Sequence, residues 1–165
     1  MAIVELGGTR VAYRVEGEGP GLVLVHGTGG NAETNWGHLV QELARHWPVV
    51  RPDYSGSGET RDTGGELSAE RLAAEVVAAA EAAGAVPFDL VGFSLGAAVA
   101  TKIAADYPHL VHRVVLLGAF LDGAGPRAAD AVRPLERSDP QRSPGHGAFR
   151  AADRLQPNFL GESRP

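Results

Sequence analysis

The chain has 165 residues, 44% apolar and 21% charged, the balance of one globular domain with a real core. It contains no cysteine, which excludes disulfides, thiolate metal sites and a cysteine nucleophile. Its net charge of −5 argues against nucleic-acid or anionic-membrane partners.

In chain order, Ile3–Leu6, Gly7-Gly8 and Thr9–Val15 read as a β-hairpin. Leu22–Val25 is apolar without alternation, the pattern of a strand buried on both faces of a parallel sheet. It runs into His26-Gly27-Thr28-Gly29-Gly30. Trp36, Leu39, Val40, Leu43 and Trp47 fall at helical spacing, and Pro48 is expected to stop that helix. Val49–Pro52 predicts a short strand, followed by the turn Asp53-Tyr54-Ser55-Gly56-Ser57-Gly58. Ser68 caps a predicted helix whose inner face is Leu72, Val76 and Ala79 or Ala80, and Gly84 ends it. Phe88–Phe93 predicts a strand, Leu95–Tyr107 a small-residue helix, and Val111–Phe120 a last strand. Strand–helix alternation of this kind implies a mostly parallel sheet with flanking helices, an α/β fold.

The character changes after residue 123. Residues 124–165 hold six of the eleven prolines and seven arginines against five acids, with few large apolar residues. They read as an irregular tail behind a core spanning 1–123. No apolar run approaches the ~18 residues of a membrane span, and the first residues lack a secretory leader, so a cytoplasmic protein is expected.

Three runs carry chemistry. Gly92-Phe93-Ser94-Leu95-Gly96 sits between a buried strand and a small-residue helix, the context a nucleophile elbow requires. The serine there occupies a sharp turn, so residues two before and two after must be small. Negative charge developing beside it is favoured by the following helix N-terminus. His26–Gly30 suits an oxyanion loop, with the Thr28 and Leu95 N–H groups as the two expected donors. His26 is expected to shape that loop through hydrogen bonds rather than act as the base. Asp53 is expected to bind backbone N–H groups within its turn rather than serve as a catalytic acid. A competing reading takes Gly27-Thr28-Gly29-Gly30-Asn31-Ala32 as a dinucleotide fingerprint with Asp53 on a ribose. It leaves the Ser94 run unexplained.

Together these runs resemble the N-terminal portion of the α/β-hydrolase superfamily, in its serine esterase and lipase branch. His26–Gly29 is similar to that family's H-G-x-G loop. Asp53–Thr60 is similar to its D-x-x-G-x-G-x-S turn, with Thr60 in place of the last serine. The resemblance implies Ser94 as nucleophile toward an ester or related acyl bond of a small-molecule substrate, without cofactor or metal. Serine at 94 points away from branches with a carboxylate nucleophile. The family order is serine, acid, histidine. In this chain that order is met by Ser94, Asp122 and His146, the last in the tail without a strand or helix to hold it. His109 and His112 are expected at the far end of the sheet. The family's later strands are not read in the tail. A non-catalytic hydrolase-like fragment is therefore the alternative, and the strand from 111 would then be an exposed edge open to self-association.

Overall fold

The computed structural model describes residues 1–17 and 19–119. Six strands form one sheet: β1 (Ala2–Leu6), β2 (Thr9–Glu16), β3 (Leu22–Val25), β4 (Val49–Asp53), β5 (Phe88–Phe93) and β6 (Val111–Leu117). Their spatial order is β1-β2-β4-β3-β5-β6. β2 is antiparallel to both of its neighbours, while β4, β3, β5 and β6 run parallel. Three helices, α1 (Ala32–Leu43), α2 (Ala69–Ala82) and α3 (Leu95–Asp106), connect the parallel strands.

The unbroken apolar run of β3 serves two layers at once. Val23 and Val25 join Val76, Val99 and Ile103 in the core under α2 and α3. Leu22 and Leu24 pack with Trp36 and Val49 on the α1 side. Alternate side chains of a strand point to opposite faces, so a strand covered by helices on both sides has no polar position. Full burial of each such aliphatic side chain contributes about 1.5–3 kcal/mol.

The helix starts follow local capping chemistry. Asn31 accepts from the Glu33 and Thr34 N–H groups, and the Thr34 hydroxyl in turn accepts from the Asn31 N–H. Ser68 caps α2 as expected, taking the Arg71 N–H. Leu72, Val76, Ala79 and Ala80 form its buried face.

Two boundaries differ from expectation. α1 ends at Leu43, not at Pro48; Ala44–Trp47 turn away, with bonds from Trp47 N–H to Leu43 O and from His46 N–H to Leu43 O. Trp47, beyond the helix, is 46% exposed; Leu39, within it, is 40% exposed and off the buried stripe of Ala32, Trp36 and Val40. β6 ends at Leu117, and Phe120 lies outside the described residues. Among the described residues β6 is an edge strand, and Val114–Leu117 are exposed along it. The tail over 124–165, with Asp122 and His146, also lies outside them. No described helix is long and apolar enough to cross a membrane.

Candidate active site

Three segments meet at the carboxyl ends of the parallel strands: the loop after β3, the turn after β4 and the turn after β5. In open α/β sheets this edge is where ligands bind. The turn after β5 is the sharpest. Ser94 has φ 54° and ψ −117°, and it is the one non-glycine residue with positive φ among those described. A serine held there stores strain of about 1–3 kcal/mol, which the surrounding packing must over-determine.

That packing consists largely of missing side chains. A Cβ on Gly92 would collide with the Gly96 backbone and approach the Ala100 Cβ to 2.8 Å. A Cβ on Gly96 would strike the carbonyl oxygens of Val25 and His26. α3 can therefore start directly against β3 and β5 only because both positions are glycine. The Ser94 N–H donates to Leu117 O at 2.9 Å, fastening the turn to β6. Its hydroxyl makes no capping bond to α3. Leu95 is the first residue of α3, where N–H groups have no acceptor within the helix.

The loop after β3 lies against this turn. A Cβ on Gly27 would come within 3.1 Å of the Ser94 Cβ and of the Phe93 ring. Gly27 is buried, whereas Thr28 and Gly29 are exposed. Gly29 has φ 73°, which a residue with a side chain adopts only under strain. The structure thus brings together Ser94, Leu95 and the loop that contains Thr28.

His26 is fully buried, and both of its ring nitrogens are engaged within its own loop and the turn after β4. Its Nδ1 lies 2.9 Å from Gly27 O, and a carbonyl only accepts, so the proton is on Nδ1. Nε2 faces the Ser57 hydroxyl at 3.0 Å. The ring stacks on Tyr54 with centroids 4.0 Å apart, and the Tyr54 hydroxyl donates to His26 O at 2.7 Å. Burial lowers the His26 pKa from its usual 6.5, against smaller opposing effects of the Gly27 carbonyl and the Asp53 charge. Burial also raises the Tyr54 phenol well above its ordinary value, and Asp53 adds to the shift. His26 is a loop-shaping residue, as the sequence suggests.

Asp53 is equally committed. Its side chain is 1% exposed. Oδ1 accepts the Ala32 N–H at 2.7 Å, and Oδ2 accepts the Glu59 N–H at 3.1 Å and an Arg14 guanidinium N–H at 3.3 Å. One carboxylate thus ties α1 to the turn after β4. Buried, with both oxygens already hydrogen-bonded inside the fold, it is not exposed to a ribose, which removes the basis of the dinucleotide reading. Thr60, where the family pattern has serine, donates its hydroxyl to Asp53 O and accepts the Ala12 N–H. His109 and His112 lie beside the start of β6, which pairs with Phe88, the end of β5 away from Ser94.

Two supports were not read from sequence. Asn35 Oδ1 accepts the Gly27 N–H at 2.9 Å. Glu75, 1% exposed, accepts the Ser55 N–H at 2.7 Å, the Ser55 hydroxyl at 2.6 Å and Arg71 Nε at 3.1 Å. A signal for Glu75 existed: it is a carboxylate between Leu72 and Val76 on the apolar face of α2. Asn35 carries no comparable mark.

Comparison with known proteins agrees with this geometry. The family model described as the alpha/beta hydrolase fold matches residues 20–146. The pyrrolizixenacetamide deacetylase of Xenorhabdus hominickii is 68% identical over 121 residues, 73% of this chain and 46% of that protein. The 2-hydroxy-6-oxo-2,4-heptadienoate hydrolase of Pseudomonas putida is 38% identical over 120 residues, 71% of this chain and 44% of that one. A solved hydrolase from Pseudomonas aeruginosa PA01 superimposes with a TM-score of 0.67 at 28% identity, covering 78% of this chain and 49% of its own. The chain spans less than half the length of these two curated relatives. With the family model matching most of its length, the chain belongs to the α/β hydrolase fold family.

Proposed function

We propose that this chain carries the nucleophile and the oxyanion donors of a serine hydrolase acting on an acyl bond of a small molecule. One observation carries the reading. Ser94 is held at φ 54° at the start of α3, its hydroxyl uncommitted to a cap, with the Gly27 backbone packed against it. Such a hydroxyl stands clear of the sheet edge, where a carbonyl carbon can reach it.

In this mechanism Ser94 Oγ attacks the carbonyl carbon and its proton passes to a base. The carbonyl oxygen becomes an anion facing the Thr28 and Leu95 N–H groups. Removing one such donor typically costs ~10²–10³ in rate. Collapse of the intermediate expels the leaving group, which takes the proton back from the base. Water then frees the acyl group from Ser94. Asp122 and His146 meet the required order and are the candidate acid and base; the alternative is that His146 is a solvated loop residue. The substrate class follows the name of the 68% identical relative, a deacetylase of an acetamide. We assign this chain an N-acetyl substrate on that basis, within the ester or related acyl bonds that the family resemblance implies.

A second reading, a hydrolase-like scaffold without turnover, is favoured by one fact. The two ring nitrogens of His26 face Gly27 and Ser57, and among the described residues no histidine is hydrogen-bonded to Ser94. A fluorophosphonate probe separates the two. An activated serine is labelled covalently, and S94A loses the label. Folded protein that takes no label refutes the hydrolase reading.

A further inference from the structure

Gly27 is gripped at both of its main-chain polar groups. Its N–H donates to Asn35 Oδ1 at 2.9 Å, and its carbonyl lies 2.9 Å from His26 Nδ1. That carbonyl shares one planar trans peptide with the Thr28 N–H, so the two point in opposite directions. The His26 Nδ1 bond to that carbonyl therefore sets the direction of the Thr28 N–H, while the Asn35 bond fixes the preceding His26–Gly27 peptide and keeps its N–H out of the site.

The grip on the Gly27 N–H comes from a rigid support. Asn35 lies one turn into α1, whose start is fixed by the Asn31 cap and by the Asp53 bond to the Ala32 N–H at 2.7 Å. The loop also passes directly over the Asn35 amide. A Cβ on Gly30 would collide with Nδ2 and lie 3.1 Å from Cγ. The amide is thus wedged between Gly27 and Gly30, with its oxygen toward the donor. The acceptor is also neutral. A carboxylate in its place would set a fixed negative charge beside the loop that must stabilise a forming one.

We propose that Asn35 is a positioning residue for the oxyanion loop. By holding the Gly27 N–H it withdraws that donor from the site and leaves the Thr28 N–H as the loop's donor toward Ser94. The proposal rests on the reading of Ser94 as nucleophile. Asn35 itself touches no reacting atom.

The test compares the full chain with N35L, N35D and S94A. Each is followed by thermal melting and by the rate of fluorophosphonate labelling over a range of probe concentrations and pH. N35L keeps the size of the side chain and loses the acceptor. Its limiting rate is expected to fall about tenfold or more, with the half-saturating concentration changed less than about twofold; an oxyanion donor itself accounts for ~10²–10³. N35D keeps the acceptor and therefore the fold, but its ionised carboxylate opposes the oxyanion. Its rate relative to the parent is expected to rise as pH falls from 7 toward the ordinary carboxyl range near ~4. That pH dependence decides the matter if N35L does not fold. Labelling of N35L at the parent's rate, or a flat N35D ratio, overturns the proposal and leaves the Ser94 reading intact. A folded parent that takes no label overturns both.

Discussion

The turn after β4 and the turn after β5 are built from similar material and end up opposite in character. Each follows a buried parallel strand and each is rich in glycine. In the first, Asp53 holds three donors, Thr60 bridges two strands' backbones, and Glu75 fills both polar groups of Ser55. In the second, the shape is enforced by the absence of side chains at Gly92 and Gly96, and the Ser94 hydroxyl caps nothing. Buried polar groups that are saturated hold a fold together. A polar group on a strained turn with spare hydrogen-bonding capacity is available for chemistry. The difference explains why an aspartate that resembles a catalytic acid is structural, while a serine that resembles a helix cap is the candidate nucleophile.

The strongest challenge to this contrast is D53A. It leaves the Ala32 and Glu59 N–H groups and the Arg14 guanidinium without their acceptor. Breaking a buried charged network of this kind costs about 3–5 kcal/mol, so the urea midpoint is expected to fall steeply or folded protein to be lost. An unfolding free energy within about 1 kcal/mol of the parent would mean that the carboxylate does not hold the turn. G96A comes next. The added methyl meets two backbone carbonyls that cannot rotate away, at a cost near the upper end of overpacking, about 3 kcal/mol. A G96A protein with parental stability and full labelling would mean that steric exclusion does not shape the elbow.

Acidification has a smaller effect, with a defined sign. The folded-state pKa of His26 lies below its usual 6.5, so the unfolded chain takes up the proton first. Its contribution to stability is complete above about pH 6.5 and is lost as pH falls toward the folded value. Urea midpoints measured between pH 7 and 5 are expected to drop less in H26N than in the parent. S94A should perturb the fold least. With no bond lost at a cap, its unfolding free energy is expected to stay within about 0.5 kcal/mol of the parent, the range of ordinary substitutions away from packing and networks. Its labelling by the probe, by contrast, should vanish. A large loss of stability in S94A would recast Ser94 as a structural residue.

The readable parts of the molecule were those decided within a few residues. β3, the Ser68 cap and the inner face of α2 follow from side-chain period and capping, which act over a single strand or turn. α1 ends at Leu43 although apolar spacing continues through Trp47, because Trp47 lies beyond the surface on which the helix packs. No local signal marks where a helix leaves the surface it packs on.

The candidate site divides in the same way. The sequence alone determined the Ser94 turn, because glycine at 92 and 96 flanking a serine after a buried strand is a steric requirement written in five consecutive residues. It also determined that His26 and Asp53 belong to shaped turns. Only the tertiary structure decided what holds those turns. The Gly27–Asn35, Ser55–Glu75 and Ala32–Asp53 bonds join residues 8, 20 and 21 positions apart. A hydrogen bond depends on two atoms meeting in space, and residues so far apart meet only once the strands have paired and the helices have docked.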